Sequence, residues 1–212
     1  MEKDLPLPVF RVYSFKRLYK NHPMNIFYVH EDPIAAAQAL CNKHVVKMIG
    51  ETANMLLWKF QKQGGFTRPI SKSGQPLQLS HENHPATRWV LQSSENYDWT
   101  ISHLQGLTQE YQKRYRQAHF GARYLDYIQL FRQSLSFDSS SATPFVGCFG
   151  EYNYLSQDKS LSTVEAYRKF YWLDKYSFAR WPSVYAIPNW WTGGKQSTWV
   201  DASFRNGIYT KR

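Results

Sequence analysis

The stretch that most constrains this chain runs from Asp32 to Phe60, DPIAAAQALCNKHVVKMIGETANMLLWKF. Asp32 followed by Pro33 reads as a helix N-cap and first helical residue, and Ala35 to Leu40 follow as a short helix. Helical spacing then continues from Cys41 to Phe60. At about 100° per residue, Val45, Val46, Ile49, Ala53, Leu56, Leu57 and Phe60 fall on one broad apolar face. The other side carries His44, Lys47, Met48, Glu51, Met55 and Trp58. His44 and Glu51 point within about 20° of each other, with Lys47 between them along the axis. That side is too apolar for a solvated stripe and too charged for a core stripe. It predicts a helix packed on one side and lining a cleft on the other, with Glu51, His44 and Lys47 as candidate catalytic residues. The competing reading is a structural Lys47–Glu51 pair, four residues apart, with His44 bonded to a carbonyl.

A chain of 212 residues suits one domain with one sizeable core. Aromatic residues make up 17% of it, so much ring surface must be buried or used in stacking. A net charge of +10 favours an anionic partner, and aromatics interleaved with the basic residues point to nucleic acid before a membrane surface. Two cysteines, Cys41 and Cys148, make neither a disulfide framework nor a zinc spacing. With no apolar run of membrane-spanning length and no secretory leader, a cytoplasmic location is expected.

Residues 1–23 read as a basic N-terminal arm, with Lys3, Arg11, Lys16, Arg17 and Lys20 against Glu2 and Asp4. Residues 24–212 read as a single helical domain that opens on a short strand, Asn25 to Val29. After the central helix, Gln61 to Ser80 is a long loop with Lys62, Arg68 and Lys72 and no acid between Glu51 and Glu82. A basic loop beside a cleft is suited to gripping phosphates. A second long helix follows His84-Pro85, broken at Gly106. Trp89, Val90, Tyr97, Ile101, Leu104, Leu107 and Tyr111 lie on its apolar face, and Arg88, Gln92, Glu95, Trp99 and His103 on the other. This repeats the first helix, so two such helices can face each other across one cleft. The run Lys113, Arg114, Tyr115, Arg116 is again acid-free, although cations at a helix C-terminus also complement its dipole. A third helix spans Ala122 to Gln133, and TPFVGCFGEYNY is too aromatic for a free linker and folds back over the core. Ser162 and Glu165 form a capping box opening a helix to about Ala179. The sum is a mostly α, compact single-domain fold with at most a small β element. Candidate nucleic-acid contacts are Lys62, Arg68, Lys72, Arg88, Trp99, Arg114 and Arg116.

Other chemistries fit poorly. His81-Glu-Asn-His84 lacks a second pair at zinc spacing and is followed by Pro85, so no metal is expected. Gly64-Gly65 and Gly193-Gly194 are isolated doublets without a Lys-Ser/Thr follow-on, and no serine sits in a nucleophile-elbow context. No cofactor is expected.

The segments MNIF (24–27), LCNKHVVKMIGETANML (40–56) and AYRKFYWLDKYSFARW (166–181) resemble an uncharacterised family frequent among bacteriophages, over most of residues 24–191. More distantly, LCNKHVVKMIGE (40–51) is similar to the segment of phage pyrimidine-dimer DNA glycosylases that carries their catalytic Glu seven residues after a His. That resemblance implies a compact helical domain, Glu51 in the catalytic position and His44 in the His position. It also implies an α-amino group at the chain's start that forms an imine with the sugar of damaged DNA. Gly50 stands where that pattern has Arg.

Three functional readings stand side by side. One is a phage-type enzyme acting on nucleic acid, DNA ahead of RNA, with glycosylase or lyase chemistry around Glu51. A second is a non-catalytic nucleic-acid-binding protein, and a third an enzyme acting on a small anionic nucleotide or metabolite.

Overall fold

The computed structural model describes residues 24–205 and 208–210; the expected basic arm over residues 1–23 lies outside them. Asp32 starts the first helix as its sequence predicts: the carboxylate accepts the Ala35 N–H at 2.7 Å and Pro33 takes the first helical position. The chain then forms α1 (Pro33–Ala39), α2 (Asn42–Gln63), α3 (Pro85–Gln92), α4 (Ser94–Tyr115), α5 (Ala122–Phe131) and α6 (Thr163–Lys175), joined by loops and short 3₁₀ turns. The sheet among the described residues is one antiparallel hairpin, β1 (Phe204–Arg205) and β2 (Ile208–Tyr209), with Phe204 opposite Tyr209. The fold is therefore mostly helical with a small β element, as expected.

Helix α2 is the axis of the core. Val45, Ile49, Ala53 and Leu56 are fully buried against neighbouring elements that include α3, α4 and α5. Met48 and Met55, expected on a cleft wall, are buried as well, whereas Val46, expected in the apolar face, is exposed. Most of the circumference of α2 is thus covered, and the open part is a narrow strip through Lys43, Val46, Gly50 and Gln61, flanked by half-buried Lys47, Glu51 and Trp58.

Three boundaries differ from the sequence-based expectation. Asn25 to Val29 is not paired in a sheet; Ile26, Phe27 and Val29 are buried, and the segment lies between α2 and α6, with Phe27 stacked on His44 from one helix and against Phe170 from the other. The second long helix is not broken at Gly106 but at Ser93, whose extended backbone ends α3 and whose Oγ caps α4 by accepting the Asn96 N–H at 3.2 Å. At Gly106 α1 crosses α4 so closely that a Cβ would meet the Ala37 Cβ at 2.9 Å and the Ile34 Cα at 3.1 Å. Helix α6 begins at the expected Ser162–Glu165 capping box but ends at Lys175, four residues early.

The remaining segments close the core. The loop after α2 is fastened to α5, where the Tyr127 hydroxyl donates to the Thr67 carbonyl at 2.8 Å and Phe66 packs edge-on against Phe131. Phe145 and Phe149 turn inward onto Tyr167, as their composition predicts. Trp172, Trp181, Trp191 and Trp199 form an edge-to-face cluster under the C-terminal segment.

Candidate functional site

Glu51 stands on the third turn of α2 with a side chain 18% exposed, where Lys47 and the start of the described chain converge. Its Oε1 lies 2.8 Å from the Lys47 Nζ, and its Oε2 accepts the Asn25 backbone N–H at 3.4 Å. Asn25 is held in turn: its Nδ2 donates to the Cys148 carbonyl at 2.8 Å, and its Oδ1 accepts the Ile26 N–H at 2.8 Å and faces the Tyr167 hydroxyl at 3.2 Å. The carboxylate is thereby fixed between an ammonium and an oriented amide, and these donors leave lone pairs free. A fixed, half-buried carboxylate of this kind can stabilise positive charge developing on a substrate. The Lys47–Glu51 pair is a four-residue helical pair with side chains 21% and 18% exposed.

His44 does not share an open wall with Glu51. It is 4% exposed, stacked at 4.3 Å on Phe27 and edged by Tyr171 and Phe178. Its Nδ1 lies 2.8 Å from the Tyr171 hydroxyl, which accepts the Cys41 N–H at 2.9 Å. The helical phase placed His44 correctly relative to Glu51, but the 24–29 segment and α6 cover it. Through Phe27 it connects to a second charged pair that sequence reasoning left out of the site. Lys175 pairs with Asp174, and its Nζ lies 5.5 Å from the Phe27 ring centre and 5.2 Å from that of Phe170. A buried lysine on the same line as Tyr167 and Tyr171 was the available signal.

Of the expected phosphate contacts, the structure brings together Lys62 and Arg88. They line an open groove of about 660 Å³ with Glu82, Asn83, Gln92 and the apolar wall of Pro85, Leu91, Pro144 and Val146. Lys62 pairs with Glu82 at 2.6 Å, while Arg88 is exposed and has no acidic partner among the described residues. Lys62 is eleven residues beyond Glu51 on α2 and about 20° away in phase, so the groove opens about 16 Å along the same line of the helix. Arg68 and Lys72 are exposed on the loop that follows α2; Arg68 reaches the Leu77 carbonyl at 3.4 Å, and Lys72 is near enough to His119 to lower its pKa, after burial as the larger cause.

Three expected contacts have other roles. Arg114 is 1% exposed and binds Glu110 at 2.8 Å, the Leu40 carbonyl at 2.9 Å, the Asn42 Oδ1 at 2.9 Å and the Gln38 carbonyl at 3.1 Å. It ties α4 to the α1–α2 junction and is closed to a phosphate. Trp99 donates from Nε1 to the Glu31 carbonyl at 2.7 Å and stacks on buried His103, so α4 presents no open aromatic wall towards α2. Arg116 remains exposed but takes a left-handed conformation (φ 54°) that ends α4. His84 caps α3 through Nδ1, which accepts the Ala86 N–H at 3.2 Å, and burial followed by the charge of His81 lowers its pKa.

No group of three or more His, Cys, Asp or Glu side chains able to hold a metal occurs among the described residues, and no described helix is long and apolar enough to cross a membrane. Family models, curated proteins and solved structures, each compared with this chain, yield no match.

Proposed function

We propose that this protein is a phage-type enzyme acting on nucleic acid, DNA in preference to RNA, with glycosylase or lyase chemistry centred on Glu51. The observation that carries this reading is a half-buried carboxylate clamped by the Lys47 Nζ at 2.8 Å and the Asn25 N–H at 3.4 Å, in line on the same helix with Lys62, which with Glu82 and Arg88 lines an open groove. The resemblance of residues 40–51 to pyrimidine-dimer glycosylases implies the same glutamate, and the net charge of +10 suits a phosphate backbone.

Among the described residues, Lys47 is the amine that meets the reacting carboxylate, at 2.8 Å, and it stands in for the terminal amine that the resemblance implies. Passing its proton to Glu51 frees the amine to attack the sugar C1′, and the departing base leaves with the C1′–N bond electrons and takes the proton back from Glu51. Sugar-ring opening then yields the imine. His44 acts through Phe27 as a positioning group, since its ring is packed away from solvent.

Borohydride trapping on duplex DNA carrying abasic sites or pyrimidine dimers tests the proposal. A covalent adduct accompanying strand cleavage, both lost in Lys47→Ala, is the expected result. An adduct that persists in Lys47→Ala removes Lys47 as the amine but keeps the enzyme. Salt-dependent binding with no cleavage and no adduct on any such DNA favours the non-catalytic reading, and no binding to long nucleic acid favours a small anionic substrate.

A further inference from the structure

Seven of the eight tryptophans contribute to ring clusters: Trp89 and Trp99 with Phe145, and Trp172, Trp181, Trp190, Trp191 and Trp199 around the C-terminal segment. Trp58 does not. Its indole is half-buried, has no ring or cation against it among the described residues, and is fixed by a 2.9 Å hydrogen bond from Nε1 to the Ser80 carbonyl. It lies seven residues after Glu51 and four before Lys62, so the three side chains project from α2 within an arc of about 40°. One turn beyond it, the Lys62–Glu82 pair forms the wall of the open groove that Arg88 also lines. An acid, a fixed indole and two cations thus succeed one another along one strip of surface.

We infer that Trp58 is a stacking platform for an unpaired base, and that the preferred partner is a single strand or an unstacked stretch of nucleic acid. Burying a large indole edge among other rings is the ordinary fate of tryptophan in this protein, and an indole left half-buried with no ring against it among the described residues, but held in one orientation, is preorganised to stack. Lys62 and Arg88 supply the charge that tracks the backbone beside it, the combination by which single strands are held. A peptide rich in acids would meet the two cations but make no use of the aromatic face. The inference rests on the nucleic-acid reading proposed above, not on the chemistry at Glu51.

Fluorescence anisotropy with a labelled single-stranded DNA and the matching duplex tests it, using Trp58→Phe and Trp58→Leu. Both variants lose the bond to Ser80, but only Trp58→Leu loses the aromatic face, and thermal melting of each checks that the fold is kept. The expected result is single-strand affinity about ten- to a hundredfold weaker in Trp58→Leu and within about threefold of wild type in Trp58→Phe, with duplex affinity changed by neither. Equal single-strand binding by all three proteins overturns the inference, as does an equal loss in both variants or displacement of the strand by polyglutamate as readily as by unlabelled DNA. Wild type that binds no nucleic acid removes the proposed function together with the platform.

Discussion

Arg88 and Arg114 are both cations that a sequence reading assigns to phosphates, and they meet opposite fates. Arg88 is open to the groove, whereas every nitrogen of the Arg114 guanidinium is engaged, with Glu110 or with the carbonyl and amide oxygens of Gln38, Leu40 and Asn42. Removing Arg114 leaves Glu110 buried with Lys113, 3.8 Å away, as its one cationic partner among the described residues. Arg114→Ala is therefore expected to lose about 3–5 kcal/mol of stability, measured by urea unfolding. A loss under 1 kcal/mol would mean the cluster is solvated in solution. His103 sets a pH dependence. Fully buried beneath Trp99, it donates from Nδ1 to the Pro33 carbonyl at 3.0 Å, and its Nε2 has no hydrogen-bond partner among the described residues. Burial lowers its pKa from 6.5 to about 4. Between those values the unfolded chain binds a proton that the folded protein does not, so stability falls as pH drops from 6.5 towards 4, by about 3 kcal/mol in total. Above pH 6.5 both states are neutral and this contribution is flat. Urea midpoints across that range should show the slope, and His103→Asn should remove this part of it.

At the scale of elements, signals between near neighbours were legible and those that depend on distant packing were not. The Asp32 and Ser162 caps and the start of α1 and α6 follow from residues within one turn of each other. The burial of Val45, Ile49, Ala53 and Leu56 follows from helical period. Gly106 shows the limit: read alone, glycine suggests a break, but its function is set by Ala37 and Ile34 on another helix. The site divides in the same way. The Lys47–Glu51 pair is a matter of spacing along one helix, whereas Asn25, which fixes the carboxylate, and the 24–29 segment, which covers His44, enter from outside it. Gly106→Ala provides the test. Alanine favours a helix interior by about 1 kcal/mol, but forcing α1 and α4 apart costs about 1–3 kcal/mol and more where backbone is met. The close approach to the Ile34 Cα decides the sign, so thermal melting should show a net loss; a variant more stable than wild type would show that the helices separate freely.

Across the whole molecule, α2 joins the proposed chemistry to the charge. Its N-terminal half carries the clamped Glu51, its C-terminal half the Lys62 wall of the groove, and α6 closes the interior side with Tyr171 and Lys175. On the proposed function, Glu51 performs chemistry on DNA rather than supporting the fold. Glu51→Gln is nearly isosteric and retains an oxygen for the Asn25 N–H, so it separates the two roles. The most direct measurement is the single-turnover cleavage rate of Glu51→Gln on lesion-bearing DNA, beside its affinity for the same oligonucleotide. The expected result is a rate at least about a hundredfold lower with affinity within about threefold of wild type. Cleavage at the wild-type rate, or a fall in rate matched by an equal loss of binding, would contradict it.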